Sequence, residues 1–158
     1  ILGTGPPQEV ERLARVARDS GAERRVAFPG HVTAEEVAGW MRRADLFVLP
    51  STYEPFGLVL LEALACGCSV VATNTAGPKE ILTDPVRSAG VMELVDLPST
   101  DRDSDVLEFE ARLAGAIEVS LLRENGFGRE AIAALVQDRT WAAVYQELRR
   151  EYLSVIRN

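Results

Sequence analysis

Three compact apolar runs set the strongest limit on how this chain can fold. They are "DLFVLPS" (45–51), "SVVAT" (69–73) and "GVMELV" (90–95). Each is short and mostly apolar; the first two read as strands buried on both faces and the third as a further strand. Between them lie segments with helical signals. Strands alternating with helices predict a parallel sheet with helices on both faces. Two further strands are expected upstream, ending at Leu2 and covering "RVAFPG" (25–30).

The helices follow from periodicity and caps. "QEVERLARVARDSG" carries Val10, Leu13, Ala14, Val16 and Ala17 at helical spacing, with Pro6 or Pro7 at its first position and Gly21 as its stop. "TAEEVAGWMRRA" opens on a capping box, Thr33 with Glu36. A helix is expected from about Gly57 to Cys66, closed by Gly67, and a short one over "AGPKEIL" (76–82). After about residue 104 the strands stop. "DVLEFEARLAGAIEVSLL" (105–122), "GREAIAALVQD" (128–138) and "TWAAVYQELRREYLSVI" (140–156) all read as helices. The expected organisation is one domain over 1–158, an α/β core over about 1–104 and a helical tail over 105–158. "LPSTDRDSD" (97–105) reads as a solvated loop.

Composition narrows the function classes. The net charge of −7 argues against a nucleic-acid partner. No apolar stretch reaches the length of a membrane span. Neither is there a charged segment followed by a cleavage site, and the expected location is cytoplasmic. Cys66 and Cys68 form C-x-C beside a single histidine, His31, which fits neither a redox pair nor a zinc site. They read as small buried thiols of a reducing compartment. The opening "ILGTGPP" reads as the tail of a strand already under way, so the chain is read as part of a longer protein.

Ligands of open parallel sheets bind beyond the carboxyl ends of the strands. Three turns should gather there: "GTGPP" (3–7), "STYEPFG" (51–57) and "TNTAGPKE" (73–80). "GTGPP" lacks the third glycine of a dinucleotide fingerprint. "EPFGLVLLE" says more. Pro55 biases Glu54 toward extended backbone, aiming its side chain out of the loop. Gly57 permits close approach of a ligand, and the N–H groups of Phe56, Gly57 and Leu58 would lie free at a helix start. Glu62 sits among leucines that cover most of the helix circumference, which reads as burial. A bare carboxylate there is costly without a partner. One solution is a ligand: phosphate on the helix N-terminus, a ribose diol on Glu62 and a second polyol at Glu54. The other is an ion pair of Glu62 with Arg42 or Arg43, with Glu54 in solvent. The isolated residues favour neither. Lys79 reads either as a solvent-facing side chain or as a cation near a phosphate.

The combination of motifs goes further. "ADLFVLPSTYEPFGLVLLEALACGCSVVATNTAGPKEIL" (44–82) resembles the C-terminal domain of the family 4, group 1, retaining glycosyltransferases of GT-B fold. The E-x7-E motif of that family matches Glu54 and Glu62, and "ILGTGP" and "RVAFPGHV" match its preceding strands. The resemblance implies a Rossmann-like three-layer half of a GT-B enzyme. It implies that Glu54 acts on the donor sugar as the catalytic-motif residue and that Glu62 holds the ribose of a nucleotide-diphosphate sugar. Phe56, Gly57 and Leu58 would hold the sugar or diphosphate. Gly5 would lie by the nucleotide, with His31, Val32 and Thr33 along the base. No metal or other cofactor is essential in that family. The donor would be UDP-, GDP- or ADP-linked, and the acceptor would sit on a separate N-terminal domain, without which this chain would bind donor weakly and not turn over. Peripheral membrane contact of the full protein is compatible with this. Departures are Ala76-Gly77 in place of Gly-Gly and an altered segment over 83–104. Competing readings are a GT-B epimerase half, a dinucleotide-dependent oxidoreductase and a non-catalytic binding or assembly module.

Overall fold

A computed structural model describes residues 1–123, 127–140, 142–143, 145–146 and 149–150. They fall into two compact units, residues 1–40 and residue 41 onward.

In the first unit α1 (Pro7–Asp19) starts with Pro7 at its first position, where the missing N–H costs nothing, and stops at Gly21, which takes φ +69°. A 3-10 turn follows at Glu23–Arg25. The two strands expected here do not form. Leu2 and Gly30 make a single parallel bridge, with the Gly3 N–H donating to the Gly30 carbonyl at 3.0 Å. Pro29 has no N–H to give a ladder and Gly30 turns away at φ +75°, so pairing stops after one bridge. The capping box at α2 (Ala34–Met41) is present: Thr33 N–H donates to Glu36 Oε2 at 2.7 Å, and Glu36 N–H donates to Thr33 Oγ1 at 3.3 Å. The bond from the Thr33 N–H, and next the Thr33 hydroxyl, hold the Glu36 carboxyl below the usual carboxylate range.

The second unit carries the sheet. Strands β1 (Leu46–Leu49), β2 (Ser69–Thr73) and β3 (Met92–Val95) pair in parallel in the order β1-β2-β3. Leu46 stands beside Ser69, and Val70 beside Met92. Val70, Val71, Ala72 and Thr73 are all buried. Successive strand residues point to opposite faces, so β2 is covered on both. Helix α3 (Leu58–Ala65) packs on β1 and β2, and α6 (Asp103–Leu122) runs across all three strands. Between β2 and β3 lie two short helices, α4 (Ala76–Ile81) and α5 (Asp84–Ala89). The altered segment 83–104 thus supplies α5, β3 and the first residues of α6. The tail continues with α7 (Arg129–Ala134), shorter than expected; most of the helix expected over 140–156 lies outside the described residues.

Cys68 is fully buried, its thiol 3.5 Å from the Ala44 carbonyl, while Cys66 is half-buried. Burial pushes the Cys68 thiol up to about 11, against a smaller opposing pull from the Arg129 guanidinium. Arg129 also donates to the Ala44 carbonyl at 2.6 Å, tying α7 back to the turn before β1.

Candidate functional site

The loop after β1 and the turn after β2 meet, as expected of segments beyond strand carboxyl ends. Thr73 Oγ1 donates to the Ser51 carbonyl, and Gly77 N–H donates to the Glu54 carbonyl at 2.9 Å. The two glycines of these turns interlock. A Cβ on Gly77 would fall 2.5 Å from the Phe56 carbonyl carbon and 2.8 Å from the Gly57 nitrogen. Gly57 takes φ +71°, and a Cβ there would meet Ile81 Cδ1 at 2.8 Å. Only residues without a side chain allow this approach.

Glu54 does not point out of the loop. Its Oε1 accepts from the N–H of Gly57 at 2.9 Å and of Phe56 at 3.3 Å. Two of the three N–H groups expected to be free for a ligand are therefore capped by the motif's own carboxylate. The reason is local: donors at a helix start attract the nearest anion, and Glu54 is in reach. Around this cap Tyr53, Phe56 and Leu58 are exposed.

Glu62 is not buried, so the expectation of a carboxylate trapped in core is corrected. Helix α3 buries Leu60, Ala63 and Leu64 against the sheet, while Glu62 and Ala65 are exposed and Leu61 is partly so. Leu58, Leu61, Glu62 and Ala65 recur at helical spacing along one stripe. They form one wall of a groove of about 600 Å³; the other wall is Ala133, Val136, Gln137, Arg139 and Thr140. The Glu62 carboxylate makes no hydrogen bond or ion pair with any described residue, Arg42 and Arg43 included. Of the two solutions to its charge, the intramolecular pair is not the one present. Sequence reasoning missed the second wall, because nothing in a helical tail marks which face turns toward a distant helix. It also missed Thr75, whose hydroxyl is buried beside this turn without a partner among the described residues. Lys79 is exposed on α4, and its ammonium makes no ion pair with a described residue.

The remaining predicted residues belong to the first unit. Gly5 lines an apolar hollow of about 340 Å³ with Leu2, Val10, Leu13 and Phe28. His31 and Thr33 are exposed and Val32 is half-buried, in the turn that leads into α2. Among the described residues no group of three or more His, Cys, Asp or Glu is placed to hold a metal ion. No described helix is long and apolar enough to cross a membrane.

A three-stranded parallel sheet flanked by helices is the architecture of one half of a GT-B fold. Residues 1–100 match the family described as glycosyl transferases group 1, and the chain belongs to that family. It is 40% identical over 119 residues to the D-inositol 3-phosphate glycosyltransferase of Arthrobacter sp. (strain FB24), covering 73% of this chain and 27% of that protein. It is 34% identical over 151 residues to the lipopolysaccharide core biosynthesis mannosyltransferase LpsB of Rhizobium meliloti (strain 1021), covering 93% of this chain and 41% of that protein. The chain thus spans well under half the length of these relatives. Among solved structures, sucrose-phosphate synthase from Thermosynechococcus elongatus matches with a TM-score of 0.59 at 28% identity, over 98% of this chain and 38% of that one. Anabaena Alr3699/HepE in complex with UDP shares the fold with a TM-score of 0.64 at 24% identity, over 97% and 40%.

Proposed function

We propose that this chain is the donor-binding half of a retaining hexosyltransferase and that its ligand is a nucleotide-diphosphate sugar. The observation that carries the reading is the Glu62 carboxylate in the groove beside α3, which has no partner among the described residues. An ionised carboxylate is an acceptor only, and a vicinal diol offers it two O–H donors. Ribose supplies that diol. The diphosphate lies toward the start of α3, where backbone N–H groups and the helix dipole favour negative charge and would stabilise the charge that builds on the leaving group.

Glu54 acts on the donor sugar. Its carboxylate holds the Phe56 and Gly57 N–H groups. On donor binding it turns to the sugar hydroxyls and releases those donors to the ligand. Leu58 contributes its backbone N–H at the same end. Gly5, His31, Val32 and Thr33 flank the nucleobase, largely through backbone. The reading invokes no metal and places the protein in the cytoplasm, where sugar nucleotides are made. The acceptor site belongs to an N-terminal half, and the 158-residue chain alone binds donor weakly and does not turn over. HepE, a protein of the same fold, is solved with UDP-glucose, which supports a UDP-linked donor as the first to try.

The test is titration of the chain with UDP, GDP and ADP, without and with Mg²⁺, beside Glu62→Ala. Metal-independent binding of one nucleotide, lost in the variant, is the expected outcome. A full-length protein that binds none of the three would overturn the reading and favour a non-catalytic module.

A further inference from the structure

The groove that holds Glu62 has a second charged side chain that the family motif does not contain. Arg139 stands on the opposite wall, exposed, with its guanidinium making no hydrogen bond or ion pair with a described residue. Beside it Gln137 is likewise without a side-chain partner. A carboxylate and a guanidinium thus line one groove without pairing with each other. Apart from Thr140, the rest of the described lining is Leu58, Leu61, Ala65, Ala133 and Val136, an apolar surface that suits a ring rather than a chain of charges.

The order of groups along α3 says where the phosphates of a ligand would lie in this groove. Leu58 is in the first turn, so the groove reaches the end of the helix that favours phosphate. Glu62 lies one turn further, and its charge repels a phosphate while accepting hydroxyls. A ligand with a diol on Glu62 therefore brings its phosphates close to an anionic wall in a chain of net charge −7. That arrangement requires a cation, and Arg139 is the one the described lining supplies. A guanidinium presents two parallel N–H groups that match two phosphate oxygens.

We infer that Arg139 contacts the donor's phosphate across the groove from Glu62, as a specificity residue for nucleotides over nucleosides. The inference rests on the nucleotide-sugar reading above. Its test is an NMR titration of the chain with uridine, UMP and UDP and with their guanosine and adenosine counterparts, for the wild type, Arg139→Gln and Glu62→Gln. Arg139→Gln should weaken the preferred mono- and diphosphate about tenfold, the loss of one charge-assisted contact, and leave the nucleoside unchanged. The deficit should shrink with added salt. Glu62→Gln should weaken nucleoside and nucleotides alike. Equal binding of the diphosphate by Arg139→Gln and wild type overturns the inference and leaves the nucleotide reading standing. So does an equal loss for nucleoside and nucleotide. A wild type that binds no nucleoside or nucleotide removes both. Arg139 is exposed, so an unchanged melting curve will show that the variant is folded.

Discussion

Gly77→Ala tests whether the two turns of the site are held together by contact. Gly77 has no left-handed φ, so its backbone would accept alanine. The obstacle is three backbone atoms, Phe56 C at 2.5 Å, Phe56 N at 2.7 Å and Gly57 N at 2.8 Å from the new methyl. Backbone cannot rotate aside, so the turns must part by at least half an ångström, from 2.5 to 3.0 Å. Overpacking of this kind costs about 1–3 kcal/mol, and the rigid neighbours put this case in the upper half. Parting also stretches the bond from Gly77 N–H to the Glu54 carbonyl, 2.9 Å here and worth about 1 kcal/mol. Alanine's smaller unfolded-state entropy returns about 0.4–1 kcal/mol. The net is a loss of about 2–3 kcal/mol, or roughly 4–12 °C in Tm for a chain of this size. Thermal denaturation followed by circular dichroism reads it. The control is Gly5→Ala, where no heavy atom lies within 4 Å of the new methyl, and it should shift Tm by under about 2 °C. Nucleotide binding should fall with Gly77→Ala, because the loop that carries Glu54 moves. A Gly77→Ala protein that melts within 2 °C of wild type would show that the interlock is slack and refute the reasoning.

Other consequences follow from the caps and the thiols. Glu54→Ala removes the acceptor of two N–H groups at the start of α3 and should destabilise by about 0.5–2 kcal/mol in urea titration, whereas Glu54→Gln keeps an acceptor and should lose less than half of that. Thr33→Ala breaks the capping box of α2 and should cost about 1 kcal/mol by the same assay. The carboxyl of Glu36 is held low in the folded state, so its contribution is complete above its unfolded value and is lost as pH falls through the folded one; Glu36→Gln should flatten stability over that acid window. Cys68, raised to about 11 when folded, contributes fully below its unfolded value and loses that contribution as pH rises toward 11. Alkylation with a maleimide at neutral pH, read by mass spectrometry, should modify half-buried Cys66 well before Cys68.

The fold was legible where period and length decide, and not where pairing decides. "SVVAT" is buried residue by residue from Val70 to Thr73, as a doubly covered strand must be. The capping residues Thr33 and Glu36, the Pro7 start and the glycine stops were readable because each rests on neighbours a few residues away. "RVAFPG" starts with a strand-like run, as "SVVAT" does, yet pairs through one bridge, since Pro29 and Gly30 end it before a ladder can form. Helix α3 misled in the opposite direction. Its leucines suggested burial all round, but Leu58 is exposed and Leu61 only half-buried because they wall a groove. Apolar residues can mark a ligand surface as well as a core.

The site shows the same division at closer range. An eight-residue spacing places Glu54 before α3 and Glu62 in its second turn, and both positions hold. The direction of Glu54 and the exposure of Glu62 differ from expectation because spacing alone does not say which donors and walls surround each carboxylate. Glu54 turns inward because the Phe56 and Gly57 N–H groups need an acceptor and the loop, pinned by Gly77, brings them within 3.3 and 2.9 Å of its carboxylate. Glu62 has no partner among the described residues because the wall opposite it comes from residues 133–140, whose guanidinium, Arg139, lines the same groove without pairing with it. An intramolecular pair would satisfy both charges and leave little for a ligand to gain. Two charges without a partner among the described residues, across an apolar floor, keep that electrostatic gain for whatever binds, and they set its shape: hydroxyls toward α3, an anion toward Arg139.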